Sequence, residues 1–189
     1  MMDVVSWIRQ EHAGLGQRLH DWFVSEIPLP RWTERPGDIG CSPAWLVLHT
    51  AVHQDLAINV AARGLPAVAA SHWDNLGLDG LHWAAPVNEA DPLAAHPGVD
   101  VGAVLAYVDA VNAATAEWLA GLVADDLDVV PPSAGRLVAA GVTAADVRWV
   151  QDRWAGKPVS WLVQWEAIGH TLLHQGELAA LRVRLGLRS

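Results

Sequence analysis

The sequence predicts an all-α domain, an antiparallel four-helix bundle with long loops between the second and third helices and between the third and fourth. Three observations predict it. Four segments repeat apolar residues in steps of three and four, and Pro, Gly and Asp gather between them. No stretch alternates apolar and polar residues for long enough to build a sheet. At 189 residues the chain suits a single domain over 1–189, large enough to bury a core without cross-links.

The first helix is expected over about Asp3 to Ile27, with Ile8, Leu15, Leu19 and Trp22 on one stripe and His12 on the same face. The second has the clearest start signal: Ser42 as N-cap and Pro43 at the first helical position. Trp45, Leu48, His49, Val52, Leu56 and Val60 then share a face, and the helix ends near Arg63 and Gly64. From Gly64 to Gly98 the periodicity is lost, and a connection that long inside a domain usually carries function. The third helix, about Val99 to Val123, places Val104, Val108, Val111, Thr115, Trp118 and Leu122 in steps that suit an antiparallel bundle. A short helical piece is expected near Thr143 to Trp154, opened by a weak capping box from Thr143 to Asp146. The fourth long helix follows Gly156 and Pro158 and runs to about Leu185.

Composition narrows the class. With 52% hydrophobic and 17% charged residues, and no apolar run of about 18 residues, neither a disordered chain nor a membrane span is expected. Against 12 basic side chains stand 21 acidic ones, a net charge of -9, so the basic footprint of a nucleic-acid binder is missing. The single cysteine, Cys41, has no intramolecular partner, and Asp3 and Glu11 stand where a secretory leader is basic and then apolar. The cytoplasm is the expected compartment. Eleven Trp against one Phe and one Tyr point to indole core filling at Trp22, Trp45, Trp118 and Trp161. Trp73 and Trp83 in the long connection, and Trp165 beside the last helix's histidines, are expected as walls of a pocket.

Nine histidines direct attention to metal or acid/base chemistry. His170 and His174 are four residues apart on the fourth helix, so their rings converge on one face, a common way for a helix to hold a metal. His49 lies on the apolar stripe of the second helix and supplies a third ligand; His53, one turn on, is a fourth ligand or a supporting group. A lone His on such a stripe is ordinarily a satisfied core side chain. Three or four on helices that pack together favour a metal, because each buried imidazole left without a partner costs roughly 1–3 kcal/mol. His12 is expected to line the core or a cavity, and His72, His82 and His96 to lie on surface loops. Glu166, one turn before His170, is the candidate catalytic acid/base or supporting acceptor; the competing reading is a solvated helix residue. Other signatures fail: His170 is not followed by Glu as in zinc-protease helices, and no G-x-S-x-G elbow or phosphate-binding loop is present.

The segment from Ser42 to His49, with His170-Thr-Leu-Leu-His174-Gln-Gly-Glu177 far downstream, resembles the DinB-like four-helix bundle family, which includes bacillithiol transferases and mycothiol-dependent maleylpyruvate isomerases. The resemblance implies a divalent metal on His49, His170 and His174, zinc foremost, with nickel or manganese as alternatives. It also implies a low-molecular-weight thiol acting on an electrophilic substrate, and a homodimer. The family's terminal H-x-x-x-H-R-G-Q pattern is altered: Gln175 replaces Arg and Glu177 replaces the final Gln. Three functions remain open at this point: a metal-dependent thiol transferase or isomerase, a non-catalytic metal- or ligand-binding bundle, and a metal hydrolase or isomerase that needs no thiol.

Overall fold

The computed structural model describes residues 3–37 and 40–187 and is all-helical, with no strand among the described residues. Helix α1 (4–24) is α-helical over Val4–Leu19 and π-helical over His20–Val24. Helix α2 (43–62) is α-helical over Pro43–Gln54 and π-helical over Asp55–Ala62. Then come α3 (Val101–Gly121), two short helices, α4 (Ser133–Ala139) and α5 (Trp149–Trp154), and α6 (159–184), whose middle, Leu162–Gly169, is again π-helical.

The starts are set by side chains that satisfy amides the helix itself leaves free. Asp3 accepts from the Ser6 N–H at 2.9 Å, Ser42 from Trp45 at 3.3 Å, and Asp100 from Ala103 at 3.0 Å. Two details of the short helices differ from expectation. Thr143 to Asp146 lies in turns rather than opening a helix, since the Val147 and Arg148 N–H groups both return to the Ala144 carbonyl. The unexpected α4 follows Pro131 and Pro132 and ends before Gly141, whose φ of 83° suits only glycine well.

Trp22 corrects another expectation: it is 55% exposed, and Phe23 fills the core instead at 1%. Phe23 continues the stripe one helical step of four beyond Leu19, and Trp22 falls at its edge. Trp45 is buried as expected, together with Trp32 and Trp154, whereas Trp118 and Trp161 are half-buried.

Helix directions follow from pairs of contacts. Arg9 near the start of α1 donates to the Leu119, Ala120 and Leu122 carbonyls at the end of α3, and His20 meets Asp109, so α1 and α3 are antiparallel. Gln175 donates to the Leu15 carbonyl and Arg182 to that of Trp22, so α1 and α6 run the same way. His49 meets His170 while His53 meets Glu166, which makes α2 antiparallel to α6. It follows that α2 and α3 are parallel, unlike the expected alternation. The long connection is what allows this, because a parallel successor requires the chain to travel back along the helix first.

That return path is fixed at several points. The buried Asp55 carboxylate accepts from the Val68 and Ala69 N–H groups, from Asn59 Nδ2 and from the Tyr107 hydroxyl, at 2.8–3.0 Å. Burial, and then the neighbouring Asp55 charge, hold the Tyr107 phenol well above its ordinary pKa, so it stays a donor. At the other end of α2, Asp91 accepts from the Ser42 N–H and hydroxyl at 2.8 and 3.0 Å. Where the connection crosses itself, a Cβ on Gly77 would stand 2.1 Å from the Gly98 carbonyl oxygen, so only glycine fits.

Candidate metal centre

The α2/α6 contact brings His49, His170 and His174 together, as the sequence predicted. His49 Nε2 lies 3.2 Å from His170 Nε2, and His174 Nε2 lies 2.9 Å from it. All three residues are at most 6% exposed. Their outer nitrogens decide what these atoms are. His49 Nδ1 donates to the Pro86 carbonyl, and His174 Nδ1 donates to Glu177 Oε2 at 2.9 Å. Each ring therefore carries its hydrogen on Nδ1 and turns a lone pair toward His170 Nε2. A His170 N–H can satisfy only one of those lone pairs well, and His170 Nδ1 is itself buried without a partner.

An electrophile at the meeting point resolves this arrangement, and a divalent ion fits the donor set. Tetrahedral ligation at zinc–nitrogen distances of about 2.0–2.1 Å separates ligand nitrogens by about 3.3 Å, a few tenths of an ångström beyond the spacings seen here. Anchoring the outer nitrogens on a carboxylate and a backbone carbonyl is the usual support for metal-binding imidazoles. Burial, helped by the charge on His53, pushes the His49 pKa down to about 3 and that of His170 down to about 2, so both rings are neutral and able to ligate.

Beside the triad lies a second group that the sequence showed only in fragments. His53 Nδ1 is 2.8 Å from Glu166 Oε2, its Nε2 is 3.0 Å from the Val87 carbonyl, and Trp154 Nε1 donates to Glu166 Oε1 at 2.7 Å. The ring is thus held between the Glu166 carboxylate and the Val87 backbone carbonyl. Glu166 is 1% exposed, which rules out the solvated reading. His53, Glu166 and His170 also lie close enough to form a second group able to hold a cation. His12 is buried on the α1 side, accepts from Gln54 Nε2 at 3.1 Å, and has its pKa pushed down to about 4 by burial.

The expected walls differ from those observed. Trp45, Trp149 and Trp154 are the indoles around these rings, with Trp45 5.8 Å from His49 and Trp149 and Trp154 6.0 and 6.3 Å from His53, between ring centres. Trp73 and Trp83 line a separate pocket near the far end of α2. The long connection reaches the centre with backbone instead, through the Pro86 and Val87 carbonyls, which no side-chain pattern announces. Glu177, three residues after His174 on the same helix, is signalled by that spacing. Of the remaining loop histidines, His82 is exposed and His72 and His96 are half-buried.

A profile of the DinB superfamily matches residues 15–178, well over half of the chain and inclusive of all three histidines. The chain belongs to the DinB superfamily. No curated protein matches its sequence. In this DinB-superfamily member, the two departures noted in the terminal motif have distinct structural tasks. Glu177 holds His174 in its tautomer, and Gln175 ties α6 to the Leu15 carbonyl of α1 at 2.9 Å.

Proposed function

We propose that the protein is a divalent-metal-dependent enzyme that transfers or isomerises with a low-molecular-weight thiol of the mycothiol or bacillithiol type, with zinc held by His49, His170 and His174. The observation that carries the metal reading is the convergence of the three Nε2 atoms with the outer nitrogens of His49 and His174 already committed. A divalent ion there would stabilise sulfur as thiolate, where a free thiol of pKa about 8.5 is only about 3% ionised at pH 7. The chain's own part is orientation. Pro86 and Glu177 fix two rings, Trp154 and His53 fix Glu166, and Glu166 Oε2 holds the proton on His53 Nδ1 beside the triad. Glu166 acts in this reading through His53, as a positioning residue. The partners are a small thiol and an electrophilic substrate; the setting is cytoplasmic, and two chains pair as a homodimer.

A second reading, a closed metal site without turnover, is supported by one observation. The cavity that reaches His174, between α1, α2, α3 and α6, measures only about 20 Å³, room for about one water.

Metal analysis of the purified protein tests the shared premise: about one divalent ion per chain is expected, lost in His174→Ala. Metal retained unchanged in that variant would remove the ligand assignment. Thiol consumption with monochlorobimane then separates the readings. Metal-dependent acceleration with mycothiol, bacillithiol, glutathione or cysteine supports the enzyme, and bound metal with no acceleration by any of them leaves the closed site and a metal hydrolase or isomerase that needs no thiol.

A further inference from the structure

About eleven residues along α2 from His49, roughly 16 Å at the rise of a helix, Val60 forms part of the floor of a pocket of about 580 Å³. The metal centre contributes no residue to it. Its walls are Leu65, Pro66, Ala70, Trp73 and Trp83 from the long connection, and Ala139 and Ala140 from the end of α4. This volume is within the range of small-molecule sites, and the lining has their usual character, mostly apolar with a few polar groups.

The walls are pre-formed by hydrogen bonds within the chain. Asp55, at 0% exposure, holds the Val68 and Ala69 amides and so fixes one wall. The Trp73 indole is pinned through Nε1 to the Leu81 carbonyl at 3.0 Å. On the opposite side Arg136 lies against Gly64, where a Cβ would come within 2.9 Å of its Nε. Its Nη1 caps α2 by donating to the Ala61 and Ala62 carbonyls. No carboxylate pairs with this guanidinium among the described residues, and its Nη2 has no protein acceptor there. The one acid of the lining, Asp74, is exposed, so its charge is screened by solvent.

From these features we infer that the pocket is a second ligand site, independent of the metal centre, for a flat apolar molecule carrying one carboxylate. The aromatic body packs against Trp73 and Trp83, and the carboxylate meets Arg136, the only cation in the lining among the described residues.

The test uses the full-length protein with 2-naphthoate and its neutral counterpart 2-naphthalenemethanol as ligands, followed by calorimetry. Saturable binding of 2-naphthoate is expected, weakened about tenfold or more by Trp83→Ala, which removes a wall, and by Ala70→Trp, which fills the space. In Arg136→Met the preference for 2-naphthoate over the alcohol should fall about tenfold. Because Arg136 also caps α2, the thermal midpoint of that variant is measured alongside, and the two pocket variants carry the test if it unfolds. His174→Ala should bind 2-naphthoate as the parent does. No saturable binding, equal binding by parent, Trp83→Ala and Ala70→Trp, or loss of binding in His174→Ala would overturn the site; equal affinity for acid and alcohol would overturn the carboxylate.

Discussion

Helices α1 and α2 have comparable lengths and both carry histidines, yet they sit in opposite surroundings. Along α1 the inward positions are Val5, Ile8, His12, Leu15, Leu19 and Phe23, one face only, and most of its polar residues meet water. Along α2 every residue from Ser42 to Ala61 is buried. A polar side chain on α1 is therefore ordinary. On α2 each one must find a partner, and His49, Thr50, His53, Gln54, Asp55 and Asn59 all do. A residue's chemistry says little about its task until its surroundings are known; on a helix buried all round, polarity itself marks a site.

The comparison is broken hardest at Asp55. Asp55→Ala strands two backbone amides, a tyrosine hydroxyl and an asparagine amide, and should cost roughly 4 kcal/mol in denaturant unfolding. A cost below 1 kcal/mol would show that burial on α2 does not enforce partnership.

His12 tests the exception on α1. Its pKa is lowered from the ordinary 6.5 to about 4 in the fold, so between those values the unfolded chain binds a proton that the folded chain refuses. The contribution is fully present above pH 6.5 and is lost as pH falls toward 4, about 3 kcal/mol in all. Unfolding curves across that window should show a shallower acid limb in His12→Leu than in the parent; equal limbs would place the titration elsewhere.

Glu177 sharpens the comparison from outside, being exposed yet bonded to a buried ring. Glu177→Gln keeps an acceptor but removes the charge, and should weaken metal affinity by about tenfold in chelator competition. Unchanged affinity would mean that the carboxylate does not support His174. The smallest effect is expected at Trp22, where replacement by Ser should change stability by less than about 0.5 kcal/mol despite the loss of an indole.

Legibility followed the same division. The Ser42–Pro43 start and the His170/His174 pair could be read because caps and four-residue spacing are local. The stripe carrying His49 could be read because it repeats. Trp22 is misplaced because steps of three and four from Leu19 both fit the helical period, and the two neighbours Trp22 and Phe23 are both large and apolar. The parallel course of α2 and α3 was not read, although the length of the connection between them was the signal. Glu166 was visible as a residue and not as a partner of His53 and Trp154, since three separate helices supply that group. The pocket beside Trp73 and Trp83 was expected at the histidines and lies elsewhere, because side-chain type does not tell where a long connection folds.

The way the connection docks on α2 also bears on when the centre can form. His49 takes its tautomer from a carbonyl 37 residues away and meets His170 across 121 residues, so no part of the triad beyond the His170/His174 pair can assemble locally. Loop closure over such separations comes late relative to helix formation. Metal uptake at this site, as proposed, would therefore mark the completion of folding and lag behind the helical signal in a refolding experiment.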